Sequence, residues 1–168
     1  MSSTLIVMCG RSFSGKSTIA RAIANSVAAD VVNFDEINEQ RGLDGGAGIP
    51  VEEWQRTHAI ATQRVLAALH DNHVAIVDDT NSWRFLRDGW RDLAEREAAG
   101  HILLYVDTPA DEVRHRRDAN QIHRSRHQVA DPVFEAHLAD FEEPAADEPH
   151  TIAPALAGIP AWAHTHLA

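Results

Sequence analysis

The chain has 168 residues, 44% of them hydrophobic and 24% charged. These are the proportions of a globular protein, and they exclude a disordered chain, a collagen-like repeat and a disulfide scaffold. Fifteen basic residues face twenty-five acidic ones, a formal net charge of −10, which handicaps any grip on a long nucleic acid. Cys9 is the only cysteine, so no intrachain disulfide forms. No secretory leader and no apolar run of the ~20 residues a membrane helix needs is visible. The expectation is a cytoplasmic protein with no membrane partner. The length suits one domain over 1–168.

Thr4 to Cys9 (TLIVMC) is apolar and β-branched, which predicts a buried strand. It runs into Gly10, Arg11, Ser12, Phe13, Ser14, Gly15, Lys16, Ser17 and Thr18. Ile19, Ala20, Ile23, Ala24 and Val27 then recur at helical spacing, predicting a helix to about Ala29. Gly10 to Ser17 therefore reads G-x-x-x-x-G-K-S between a strand and a helix, the context a phosphate-binding loop requires. Glycine lets successive N–H groups turn inward, and the helix N-terminus adds partial positive charge. Lys16 supplies charge for the β and γ phosphates of ATP, and Ser17 a hydroxyl for Mg²⁺, with Thr18 beside it. Lys16 is also the chain's only lysine. It stands where a compact ammonium reaches between phosphates better than a planar guanidinium does.

Val31 to Phe34 predicts a second strand closing on Asp35. A carboxylate there accepts the proton of an attacking hydroxyl and aims it at the γ-phosphate, with Glu36 and Glu39 competing for the role. Residues 42–50 (GLDGGAGIP) predict a mobile loop. A helix is expected from near Val51 to about His70, with Trp54, Ala61, Val65, Ala68 and Leu69 inward. The loop, Trp54 and His58 are placed to shape an acceptor pocket. Val74 to Val77 predicts the third strand, ending in Asp78, Asp79, Thr80 and Asn81. Asp78 suits a carboxylate that holds Mg²⁺; Asp79 points the other way if the strand continues.

A helix from a Ser82 N-cap to Ala99, with Gly100 past its end, comes next. Trp83 and Trp90 lie seven apart on one face and read as packing. Ile102 to Val106 predicts the fourth strand, 110–119 a helix, 118–129 an arginine-rich segment and Asp131 to Phe141 a helix. The tail, 144–168, is rich in Ala and Pro. It offers a brief strand at Thr151-Ile152 and cover for the core from Ile159, Trp162 and Leu167. Strands alternating with helices predict a parallel sheet covered on both faces.

Arg114, Arg116, Arg117, Arg124 and Arg126 crowd into about 114–129. They read as a lid that stabilises triphosphate charge and excludes water, or else as a solvated basic face. Eleven histidines invite a metal, but no cysteine or glutamate completes a zinc spacing. Cys9 reads as a packed core thiol.

Together, GRSFSGKST, NFDE, AIVDDTN with Arg87 six residues after Asn81, LLYVDTP, the arginine segment and FEEP resemble the small P-loop kinase group. That group holds the kinase domain of polynucleotide kinases, zeta-toxin-like kinases and several antibiotic and small-metabolite phosphotransferases. The resemblance spans roughly residues 4–148. It implies a three-layer α/β P-loop NTPase fold, nucleoside-kinase-like, with a central parallel sheet of order 2-3-1-4-5. It implies ATP and Mg²⁺, and transfer of the γ-phosphate to a hydroxyl. The general-base role falls on Asp35 and the metal-supporting role on Asp78 with Ser17. Thr80 and Asn81 take a structural or nucleotide-contacting role. Lid duties fall on Arg117, four residues after Val113, and on Arg124 or Arg126. Gly10 to Thr18, Arg117 and Arg126 thus make up the nucleotide site, and Lys16, Asp35, Arg117 and Arg124 the catalytic set.

One departure stands out. Polynucleotide kinases usually carry an arginine three residues after the catalytic aspartate; here that position is Asn38, and Arg41 is a turn further on. The acidic C-terminal quarter repels a polyanion. The expected partner is therefore a small hydroxylated molecule, antibiotic or nucleoside-like, which an acidic rim suits if neutral or cationic. A polynucleotide 5′-hydroxyl is the disfavoured acceptor. The alternative from another class is a nucleotide-binding module or slow NTPase switch with no organic acceptor. Monomer and homodimer both remain open.

Overall fold

A computed structural model describes residues 3–43, 48–123 and 131–167. Five strands form one parallel sheet: β1 (Thr4–Cys9), β2 (Ala29–Asn33), β3 (Val74–Asp78), β4 (Gly100–Tyr105) and β5 (Thr151–Ile152). Their order is β2-β3-β1-β4-β5, the order the resemblance implied. β1 is buried from Leu5 to Cys9 and β3 throughout. Such unbroken apolar runs arise because helices cover both faces of a parallel sheet.

Alternate residues of β1 face opposite layers. Leu5, Val7 and Cys9 pack with α2 (Phe34–Gln40), α3 (Val51–His70) and α4 (Arg84–Arg96). Ile6 and Met8 pack with α1 (Lys16–Ser26) and α7 (Ile159–Leu167). The tail thus closes the second face, through Ile159, Ala163 and Leu167, with Trp162 partly buried beside them. α5 (Ala110–His123) and α6 (Asp131–Ala139) lie over the loop after β1, where Phe13, Val113 and Phe134 make a third apolar cluster.

Several boundaries differ from the sequence-based expectation. The second strand starts at Ala29 and stops at Asn33, so Phe34 and Asp35 belong to a helix rather than to a strand end. Asn33 sets this boundary: its side-chain oxygen accepts a hydrogen bond from Glu36 N at 2.9 Å, capping α2. Asp35 and Glu36 then sit in the first turn, where negative charge suits the helix dipole. α4 begins at Arg84 without a side-chain cap, so Ser82 is not its N-cap. The Ser82 carbonyl instead accepts from Glu142 N at 2.9 Å. Gly100 opens β4, and the chain reverses at Ala98, whose φ is 52°. α5 runs further than expected, to His123, and α6 stops at Ala139. Residues 44–47 of the glycine-rich loop and 124–130 of the arginine segment lie outside the described residues. Among the described residues no helix is long and apolar enough to cross a membrane.

Candidate active site

The C-terminal ends of β1, β2 and β3 bring the motif residues to one edge, where ligands of open α/β sheets bind. The loop after β1 begins at Gly10, whose N–H donates to Thr80 O at 3.1 Å. A side chain at Gly10 would place its Cβ 2.8 Å from Ser14 Oγ and 2.9 Å from Val106 O, and the φ is +154°. Only glycine fits there. Gly15, at φ 104°, is the left-handed residue from which α1 starts. Ser14 N donates to Arg11 O at 3.1 Å and Lys16 Nζ to the same oxygen at 2.8 Å, which folds the ammonium back over the loop.

Phe13 adopts φ 63° and is nearly buried. Its ring meets Phe134 edge to face at 5.9 Å, so strained backbone is held by an apolar contact from α6. Thr108, in the loop before α5, donates to Ser14 O at 2.9 Å. Arg116 reaches the same carbonyl at 3.0 Å and pairs with Glu112 at 2.8 Å. A shallow cavity of about 300 Å³ opens between the loop and α5, lined by Phe13, Gly15, Thr18, Arg116, Asn120 and His123.

The expected lid residues divide. Arg117 turns towards α6, where it pairs with Asp131 and lies 5.1 Å over the Phe134 ring. Its neighbour Arg116, which the sequence placed in the cluster without a specific lid duty, reaches the carbonyls of Phe13 and Ser14 in the phosphate loop. Helical phase separates them, since adjacent residues point about 100° apart. Arg124 and Arg126 fall outside the described residues. Arg11 pairs with Glu143 and stacks over Phe141 at 5.0 Å, so this loop residue tethers the 141–143 segment.

On the other side, Asp35 is exposed on the first turn of α2. Asp78 is buried and accepts from Asn33 Nδ2 at 2.6 Å, a tie between β3 and β2. Asp79 is half-buried. Burial pushes its carboxyl from the ordinary 3.8 up to about 6; the Thr80 N–H opposes this, Asp35 adds to it and Lys16 opposes it. Asp79 thus shares one edge of the sheet with Lys16 and Asp35, within electrostatic reach of both. Beneath it His58 stacks on Trp90 at 4.7 Å, and Phe34 meets both edge to face. Burial lowers the His58 imidazole, which favours its neutral form.

A latch the sequence did not reveal supports this edge. Arg87 and Glu148, 1% and 2% exposed, form a two-pronged pair at 2.6 and 2.8 Å. Arg87 also donates to Asn81 O and Glu142 O, each at 3.0 Å. Asn81 in turn donates to Met8 O at 2.7 Å and accepts from Trp90 Nε1 at 3.2 Å. The ends of β1 and β3, α4 and the tail are locked together. The spacing of Arg87 from Asn81 was visible, but Glu148 lies 61 residues further on and carried no local signal. Burial pushes the Cys9 thiol up to about 12, so it serves as packing and not as a nucleophile.

Among the described residues no group of three or more His, Cys, Asp or Glu forms a protein-only metal site. Mg²⁺ in phosphate sites needs no such cage, because it takes one or two carboxylates and substrate oxygens. Ser17 on the first turn of α1 and Asp79, a carboxylate crowded by Asp35 and Asp78, fit that requirement.

The profile of a family described as an AAA domain matches residues 5–144. No curated protein matches the sequence significantly. A sugar kinase from Janibacter sp. HTCC2649 superposes with a TM-score of 0.68 at 21% identity, covering 99% of this chain and 95% of that one. The Mycobacterium tuberculosis APS kinase CysC, in complex with AMPPNP and APS, gives 0.67 at 14% identity, with coverage of 98% and 95%. Chaetomium thermophilum Kti12, in complex with ADP-AlF3, gives 0.74 at 16%, with coverage of 98% and 99%. At these identities the likeness is one of fold, that of kinase-like P-loop proteins.

Proposed function

The chain belongs to the AAA-domain family of P-loop proteins, and from that membership and its cleft we propose an ATP-dependent phosphotransferase that moves a γ-phosphate to the hydroxyl of a small molecule. The observation that carries this reading is that Lys16 at the start of α1, Asp35 in the first turn of α2 and Asp79 just after β3 all follow the C-terminal ends of neighbouring parallel strands. A nucleotide switch needs no carboxylate exposed opposite its phosphate loop, whereas a kinase needs one to receive the acceptor's proton.

Gly10 to Thr18 cradles the phosphates through backbone N–H groups, and Lys16 neutralises charge on the β and γ groups. Asp35 accepts the acceptor's hydroxyl proton as that oxygen bonds to the γ-phosphorus. The bond to the β–γ bridging oxygen breaks, and ADP leaves with that electron pair. Arg116 braces the loop through Ser14 O and is our choice for the arginine nearest the nucleotide. Arg117 acts through Asp131 and Phe134, holding α6 over Phe13. Ser17 and Asp79 are the residues that would hold Mg²⁺, which neutralises developing phosphate charge when bound. Asp78, expected in that role from its place at the strand end, is read instead as the tie to Asn33.

Asp35→Asn is expected to keep ATP affinity and lower transfer by about 10²–10⁴-fold, the usual weight of a general base. An acceptor screen with γ-labelled ATP measures transfer, and calorimetry measures affinity. Full transfer by the variant would remove Asp35 from the mechanism. Label released only as inorganic phosphate would favour the NTPase reading.

A further inference from the structure

The corner between α2, which carries Asp35, and α3 is built so that its arginines are already occupied. α2 begins beside Asp35 and ends on Arg41, which is only 17% exposed at its side chain. Arg41 Nη1 donates to Glu53 O at 2.7 Å and to Thr57 Oγ1 at 2.6 Å, while Nη2 pairs with Glu53 Oε2. Arg56, one turn along α3, takes the other oxygen, Glu53 Oε1, at 2.5 Å. Thr57 is fully buried and its hydroxyl donates a hydrogen bond to Asn38 Oδ1 at 2.5 Å, which fixes the α2–α3 corner. Arg84, on the first turn of α4, is likewise occupied: its Nη1 lies 3.0 Å from both carboxylate oxygens of Asp147.

One carboxylate therefore holds two guanidinium groups. A guanidinium fork already matched to a carboxylate offers an incoming phosphate little, because the phosphate must displace an equivalent partner. Asp35, Glu36 and Asp79 add like-charge repulsion.

Resting on the kinase reading above, we infer that Glu53 is a specificity-determining residue: by sequestering Arg41 and Arg56 it restricts the acceptor to alcohols that carry no phosphate or carboxylate near the reacting hydroxyl. Neutralising Glu53 removes the charge partner of Arg41 Nη2 and of Arg56, while Arg41 Nη1 stays on Glu53 O and Thr57 Oγ1, and so admits anionic acceptors.

The decisive experiment does not require turnover. With the phosphate loop filled by AMPPNP, radiolabelled inorganic phosphate is dialysed to equilibrium against the wild type, Glu53→Gln and Glu53→Gln/Arg41→Gln. The expected result is binding by the single variant at least tenfold tighter than by the wild type, falling back in the double variant. Phosphate bound equally by wild type and single variant, or by neither, overturns the inference. The wild type also decides alone, should Glu53→Gln fold poorly. Given a nucleoside and its 3′-monophosphate as competing acceptors for γ-labelled ATP, it should label the nucleoside; equal or preferential labelling of the monophosphate overturns the inference. The kinase reading itself stands or falls on the acceptor screen above, and the dialysis judges Glu53 whatever that screen finds.

Discussion

The two halves of the cleft are built in opposite ways. The nucleotide half is one continuous segment, Gly10 to Thr18, whose donors are backbone groups and whose shape depends on two left-handed glycines. The proposed acceptor half is assembled from α2 and α3, whose polar side chains are matched to one another before any ligand arrives. A triphosphate is a common ligand, so a short backbone cradle serves it in any context. An acceptor is particular, and its recognition rests on side chains brought together from distant segments.

The largest test of this contrast is Lys16→Ala. It should lower transfer roughly 10³-fold and weaken ATP binding as well, whereas Asp35→Asn should spare binding. If both variants lose ATP equally in calorimetry, the halves are not separable. Next comes Arg87→Ala. It would leave Glu148 buried and unpaired, a loss of about 3–5 kcal/mol, read as a lower urea midpoint at unchanged slope. An unchanged midpoint would mean that the latch does not hold the two halves together.

Gly10→Ala forces a Cβ against Val106 O at positive φ. It should destabilise the fold by about 1–3 kcal/mol and raise the ATP dissociation constant with it. A smaller, sharper comparison sets Arg116→Ala against Arg117→Ala. The first should weaken ATP binding several-fold, and the second should mainly reduce turnover; identical profiles would merge their roles.

The smallest effect is one of pH. Asp79 keeps its proton to about 6 in the fold, against an ordinary 3.8. Its contribution to stability is thus complete below about 3.8 and is lost as pH rises through about 6. Melting temperature without nucleotide should fall across that window in the wild type, and Asp79→Asn should flatten the slope. A slope unchanged in the variant would assign it to other groups.

Much of the nucleotide half was legible from residues 4–29, because period, glycine placement and a lone lysine all act locally. The strand order came from the resemblance and not from periodicity. The end of β2 was misjudged because Phe34 suits a strand, while the Asn33 cap that starts a helix there depends on Glu36 three residues on. The bond from Arg116 to Ser14 O was not legible, because a cluster of arginines has no phase until the helix is docked. Asp79 and Asp78 are neighbours in sequence, and only the packing of β2 against β3 shows which carboxylate Asn33 claims.

Sequence alone determined the phosphate loop and the alternation of strands with helices, since both follow from patterns within about ten residues. Tertiary structure alone decided the partners of Arg41, Arg87 and Arg117. A charged side chain gains its partner from whatever the fold places beside it, and burial then sets how firmly the pair is held.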